Sequence, residues 1–113
     1  MKRLPIAVAL LSISLLSHSA AIEPRDIIVA WSIDTPTVPE AHHGRYIENI
    51  GSVPIRATIQ WKTTWGQWED IKAETFQPGE RGNVVSNKVY FHQRLVIENL
   101  SDNEVAEVDW SYN

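Results

Sequence analysis

Two tryptophans three residues apart, Trp65 and Trp68, are the side chains of this sequence best suited to binding chemistry. Trp65 directly precedes a glycine in an expected hairpin tip, where a place in the hydrophobic core is difficult to arrange. An exposed indole in a turn can stack on a sugar, insert at a bilayer interface or anchor a protein interface. Thr63, Thr64 and Gln67 add hydrogen-bonding groups around the two indoles. We therefore predict that these five residues bind a ligand; the competing interpretation folds Trp65 back over the core.

Three histidines, His42, His43 and His92, offer a second kind of chemistry. Neutral imidazoles are good ligands for zinc and copper. Neighbouring side chains of an extended chain point in opposite directions, so His42 and His43 can share an ion only in a loop. No diagnostic ligand spacing is present, and the sequence therefore predicts no metal or cofactor. Zinc or copper binding outside the cytoplasm by these three histidines stays as an alternative function.

The motifs of common enzyme classes are missing from the sequence. It contains no Gly-x-Ser-x-Gly elbow, no phosphate-binding loop and no dinucleotide fingerprint. The absence of cysteine excludes a thiolate nucleophile and a disulfide framework. We predict a binding protein rather than an enzyme, with a glycan, a cell-surface component or a protein as its partner. The main alternative is a membrane-active, toxin-like secreted module that places its indoles at a zwitterionic membrane interface.

The first 21 residues have the features of an export signal. A basic start is followed by an apolar stretch from Leu4 to Leu16, and Ser19 and Ala21 occupy the two positions that signal peptidase requires to be small. We predict cleavage after Ala21, with cleavage after Ser19 as a close alternative. The remaining domain, 22–113, would be secreted or periplasmic. Loss of two basic residues changes the formal charge from −4 to −6, which argues against nucleic acid as a partner.

The apolar residue types of segment 22–113 predict an all-β fold. The segment contains 10 Ile and 9 Val but only 2 Leu, and β-branched residues favour strands over helices. Apolar residues alternate with polar ones from Val53 to Lys62, from Lys88 to Glu98 and from Ala106 to Tyr112. A fourth alternating run, near the start of the domain, places Ile27, Val29, Trp31 and Ile33 on one expected inward face.

Turn-forming residues separate these runs at intervals that suit a sandwich. The stretch Gln77–Gly82 contains a Pro-Gly pair, and short hairpin-like connections begin at Asn49 and Asn99. The pattern predicts a single small β-sandwich of about seven antiparallel strands. Immunoglobulin-like topology is favoured over a small closed barrel.

Two short segments of the sequence resemble each other, Tyr46–Ile50 and Val96–Leu100. Each contains Ile-Glu-Asn, and we expect the Asn to close a strand while its side chain bonds the backbone ahead of it. Either two hairpins share one turn solution, or the segments occupy equivalent places in the two sheets. The second segment also matches an N-glycosylation pattern through Asn99, Leu100 and Ser101, which predicts an exposed turn.

Overall fold

The structure, a computed structural model, describes residues 18–33, 45–84 and 92–112, which form two four-stranded sheets. The strands are β1 (His18–Ile22), β2 (Ile27–Ile33), β3 (Arg45–Asn49), β4 (Ile55–Lys62), β5 (Trp68–Phe76), β6 (Arg81–Asn83), β7 (Gln93–Asn99) and β8 (Ala106–Tyr112). The first sheet has the order β1-β8-β3-β6 and the second β2-β7-β4-β5. All the strand pairs are antiparallel. In these described ranges no helix has the length and apolar character needed to cross a membrane.

The strand order is that of an eight-stranded jelly roll. Successive strands cross from one sheet to the other at every connection except the β4–β5 hairpin, which stays within the second sheet. The prediction of a small antiparallel β-sandwich is confirmed, with eight strands instead of about seven. The immunoglobulin-like order is not observed, because an immunoglobulin sheet pairs its first two strands directly and here β1 and β2 lie in different sheets.

The core lies between the inner faces of the two sheets, where the alternation in the sequence predicts it. On β4, Ile55, Ala57 and Ile59 are buried, and Trp61 at the end of the strand is half-buried. The inner faces of β7 and β8 are equally well covered, by Gln93, Leu95, Ile97, Ala106, Val108 and Trp110. The inward faces predicted for these three strands are therefore confirmed over the described residues.

The inward face predicted for β2 is wrong at its first two positions. Ile27 and Val29 are 52% and 51% exposed, whereas Ile28 and Trp31 pack against the core. The register with β7 shifts between Val29 and Trp31, which leaves Ala30 as an extra residue. A β-bulge of one residue exchanges the two faces of a strand, so the simple alternation cannot hold on both sides of it.

Asn49 closes β3 and is completely buried at one end of the sandwich. Its Nδ2 donates to the carbonyl oxygens of Val53 at 2.8 Å and Phe76 at 2.9 Å. Its Oδ1 accepts a hydrogen bond from the backbone N–H of Gly51 at 3.0 Å. One amide side chain thus satisfies three backbone groups and joins the loop after β3 to the end of β5.

Asn99 makes the equivalent hydrogen bonds at the end of β7 and is also completely buried. Its Nδ2 donates to the carbonyl oxygens of Ile22 at 2.9 Å and Glu104 at 2.7 Å, and its Oδ1 accepts from the N–H of Ser101 at 2.8 Å. The predicted bond from each Asn to the backbone ahead is confirmed. The predicted exposed turn is found at Asp102, Asn103 and Glu104, but Asn99 itself is not exposed, because the nitrogen that a glycan would modify is held by two carbonyls.

The two asparagines belong to a repeated arrangement. When each strand is exchanged with the strand four places later, the order of one sheet becomes that of the other. Matching turns follow β1 and β5: Pro24 is followed by Arg25 with φ 62°, and Pro78 by Gly79 with φ 85°. In each turn the fourth residue donates to the first, at 3.0 Å and 2.9 Å, as a type II turn requires. The similar segments in the sequence therefore occupy equivalent places in the two sheets.

Strand β1 overlaps the predicted export signal. His18 stacks on Trp110 with the ring centroids 5.5 Å apart, and the Ser19 hydroxyl donates to Asp109 at 2.6 Å. Ala20 pairs with Val108 and packs against the core. Four of the five residues of β1 thus lie within the segment that cleavage after Ala21 would remove.

Candidate functional site

The β4–β5 connection is a tight turn of five residues, Thr63 to Gln67, which we call the Trp65 hairpin. The Thr63 N–H donates to the Gln67 carbonyl at 2.8 Å, and the Gly66 N–H donates to the Thr63 carbonyl at 2.9 Å. The Thr63 hydroxyl oxygen accepts from the N–H groups of Trp65 at 3.3 Å and Gln67 at 3.2 Å. Gly66 has φ 85°, a conformation that favours glycine. The turn is therefore held by its own backbone and one threonine.

Trp65 projects from this turn into solvent. It is 86% exposed, far more than any other large apolar side chain among the described residues. Burying an indole contributes more than burying almost any other side chain, so its exposure forfeits that stabilisation. The interpretation in which Trp65 folds back over the core is not what the structure shows.

Trp68 lies at the first position of β5 and is half-buried. It pairs directly with Lys62 across the hairpin, and the Lys62 Nζ lies 5.9 Å from the centroid of the indole. On β7, the strand on the other side of β4, the Arg94 Cζ lies 4.2 Å from the same centroid. Both distances fall within the range of cation–π attraction, so Trp68 holds two cations close to the base of the hairpin.

A row of side chains across three strands fixes one of these cations. Gln60 on β4 is directly opposite Asp70 on β5 and Arg94 on β7. Its Nε2 donates to the Asp70 Oδ1 at 2.9 Å, and its Oε1 accepts from the Arg94 Nε at 2.8 Å. Because Asp70 engages the amide nitrogen, the amide oxygen faces Arg94. Asp70 therefore orients the guanidinium through Gln60 without pairing with it.

The five residues predicted to bind a ligand have different positions. Trp65, Thr64 and Gln67 are exposed on the turn, whereas Trp68 is half-buried on the sheet. The Thr63 hydroxyl serves the turn itself. Three residues that were not predicted from the sequence are brought together here, Gln60, Lys62 and Arg94. The alternation places the first two on a polar face, but only the strand register shows that Arg94 joins them.

The histidines of the metal alternative do not form a described site. His42 and His43 lie outside the described residues. His92 is exposed just before β7, and its carbonyl oxygen accepts from the N–H of Lys62 at 3.1 Å. Within the part of the chain that the structure describes, no group of three or more His, Asp and Glu side chains could hold a metal ion. Zinc or copper binding by the three histidines stays an alternative function.

Comparison with known proteins places this fold among β-rich structures. It is similar to the crystal structure of PirA, with a TM-score of 0.76 and 25% identity over 87% of this chain and 94% of that one. The Yersinia pseudotuberculosis-derived mitogen is similar at a TM-score of 0.58 and 10% identity, over 86% of this chain and 82% of that one. The Drosophila melanogaster CENP-C cupin domain reaches a TM-score of 0.50 at 9% identity, over 87% of this chain and 60% of that one. The latter two likenesses show the fold alone.

Comparison of the sequence alone identifies a single family. A search of curated proteins found no similar sequence. The PirA-like family matches residues 17–109, a range that begins just before β1 and ends within β8. Sequence and fold point to the same relatives over nearly all of the described chain, and the chain belongs to the PirA-like family.

Proposed function

We propose that this chain is an exported, non-catalytic binding module that contacts its ligand through the Trp65 hairpin. The observation that carries the proposal is the indole of Trp65, 86% exposed on a turn whose own hydrogen bonds hold it in place. A large apolar surface on a fixed turn loses little conformational freedom when it meets a ligand. The similarity to PirA supports a small β-fold for such a module and leaves the ligand open.

The ligand is a glycan, a cell-surface component or a protein. An exposed indole presents a flat apolar face, which suits the apolar face of a sugar ring or the centre of a protein interface. Thr64 and Gln67 are exposed on either side of Trp65 and offer a hydroxyl and an amide for hydrogen bonds. The hairpin thus combines one large apolar side chain that contacts the ligand with polar groups that fix the orientation of the ligand.

We expect Trp65→Ala to weaken ligand binding by at least ~30-fold, because loss of a hot-spot anchor costs about 2 kcal/mol or more. Its effect on folding should stay within ~0.5 kcal/mol, because the side chain is exposed. Binding to an array of neutral and charged glycans measures the first effect, and urea unfolding measures the second. Val105→Ala is the matched control, since Val105 is also an exposed apolar residue, 42% accessible, between β7 and β8.

Contact with a membrane is a second use of the same exposed indole. Phosphatidylcholine vesicles added to the wild type and to Trp65→Ala separate the two functions, because an indole that enters the interface shifts its fluorescence to the blue. A blue shift that requires Trp65 would favour the membrane function. Unchanged fluorescence together with glycan binding would favour recognition of a soluble or cell-surface ligand. A Trp65→Ala variant that keeps full affinity for its glycan would contradict the role of the hairpin.

We also propose that the exported chain begins at Ala20, after cleavage behind Ser19. The pairing of β1 with β8 supports this site, because cleavage after Ala21 would leave Ile22 as the only residue of β1. N-terminal sequencing of the exported protein should read Ala-Ala-Ile-Glu. A folded, exported protein that begins at Ile22 would contradict this prediction and would show that the sandwich tolerates loss of the strand.

A further inference from the structure

Ion pairs hold three of the other basic residues in the described part of the chain, at 2.6 Å for Arg25 with Asp102, 3.6 Å for Arg56 with Glu98 and 3.7 Å for Lys72 with Glu74. Arg81, on the far edge strand of the first sheet, also forms no ion pair among the described residues. Within residues 18–33, 45–84 and 92–112, Lys62 and Arg94 form no such pair with a carboxylate. Both cations instead lie around one indole.

This arrangement brings like charges together in a protein with a formal charge of −4. Lys62 and Arg94 repel each other, and the ring of Trp68 and the nearby carboxylate of Asp70 each offset part of that repulsion. Arg94 is half-buried, where water screens its charge less completely than at the open surface. An anion that contacts both cations would offset the repulsion and add charge-assisted hydrogen bonds.

The geometry also prepares Arg94 for such a group. Its Nε is engaged by Gln60 at 2.8 Å, and Gln60 is oriented by Asp70 at 2.9 Å. The guanidinium plane is therefore fixed before any ligand arrives. A fixed guanidinium matches the planar or tetrahedral array of oxygens in a carboxylate or sulfate, and a flexible lysine such as Lys62 adds a second charge.

We propose that the ligand of the Trp65 hairpin carries an oxyanion, a carboxylate or a sulfate, which Lys62 and Arg94 bind beside Trp68. The inference rests on the proposed function and specifies the chemistry of its ligand. Trp65 contacts the apolar part of the ligand from the turn, and the two cations contact the charged part at the base of the same hairpin. Neutral ligands of the same shape bind more weakly.

The test compares dextran sulfate, carboxymethyl dextran and unmodified dextran as immobilised probes for the full chain. We expect retention on one or both charged polymers, with at least tenfold weaker binding to unmodified dextran. Lys62→Gln and Arg94→Gln should each weaken binding to the charged polymer by at least tenfold. Arg56→Gln is the matched control, because it removes the same charge from β4, the strand of Lys62, but breaks only the pair with Glu98. Equal loss in all three variants would overturn the proposal.

The outcomes also separate this proposal from the role of the hairpin itself. Binding that requires Trp65 but is unchanged in Lys62→Gln and Arg94→Gln would overturn the oxyanion site and leave the proposed function standing. Binding to dextran sulfate that requires Lys62 and Arg94 but not Trp65 would support the oxyanion site and contradict the hairpin. Lys62 is exposed, so Lys62→Gln decides the question even if Arg94→Gln fails to fold. No saturable binding to either charged polymer would overturn the oxyanion site.

Discussion

Replacement of Asn99 by alanine is expected to destabilise the protein by about 3–5 kcal/mol, because each unsatisfied buried polar group costs about 1–3 kcal/mol. The variant would leave the carbonyl oxygens of Ile22 and Glu104 and the N–H of Ser101 without the side chain that they bond. It would also open a cavity at a position that is fully buried. A small domain has about 5–15 kcal/mol of stability, so the loss is a large part of the whole.

Because the arrangement is repeated within the fold, a substitution of Asn49 tests the same loss of stability. Asn49→Ala removes three equivalent bonds, to Val53, Phe76 and Gly51, and should cost a similar amount. Asn103→Ala is the control, since Asn103 is exposed and lies in the same loop as two of the groups bonded by Asn99. Urea unfolding followed by tryptophan fluorescence measures all three. A cost below ~1 kcal/mol for both Asn99→Ala and Asn49→Ala would mean that water replaces the amide groups.

Replacement of Gly51 by alanine is expected to destabilise the protein by roughly 2–3 kcal/mol, in the upper part of the range for overpacking. A Cβ at this position would lie 2.7 Å from the backbone nitrogen of Glu107 and 3.3 Å from its Cβ. Neither partner can move freely, because the Ile50 N–H donates to the Glu107 carbonyl at 3.1 Å. The close approach of the loop after β3 to β8 therefore requires glycine.

Gly82→Ala is the matched control for this substitution. Its added Cβ would meet only Phe76 Cε2, at 3.6 Å, an ordinary van der Waals distance. We expect its free energy of unfolding to stay within ~0.5–1 kcal/mol of the wild type, since glycine in a strand gives little stability of its own. Equal unfolding midpoints for Gly51→Ala and Gly82→Ala would contradict the close packing of Gly51 against β8.

The sequence predicts the layers of this fold better than their connections. The alternation from Val53 to Lys62 identifies the buried face of β4, because a strand has a period of two whatever its neighbours are. Strand order depends on which strands pair across long connections. The residue types of the β2–β3 and β6–β7 connections do not indicate which strands they bring together. The preference for immunoglobulin-like topology followed from strand number and turn spacing, which jelly rolls share. The bulge at Ala30 likewise cannot be predicted from the residue types around it.

The candidate site shows the same division between local and long-range features. Trp65 could be predicted because a tryptophan beside a glycine in a short turn has few ways to reach the core. Arg94 could not, because it lies more than thirty positions from Gln60 and meets it only through the register of β4 with β7. The burial of Asn99 was missed for a related reason. Its bond to Ile22 joins residues 77 positions apart in the sequence, and it buries a side chain that the polar turn alone suggests is exposed.

The buried asparagines and the Trp65 hairpin lie at opposite ends of the sandwich. Ile55 and Phe76 pair near the asparagines, whereas Lys62 and Trp68 pair beside the hairpin. Substitutions at Thr64, Trp65 and Gln67 therefore leave the hydrogen bonds of the two buried asparagines unchanged. We therefore expect the sandwich to accept a foreign loop of similar length between β4 and β5. Such a chimera should keep the fold of this chain, and its binding should follow the chemistry of the new loop.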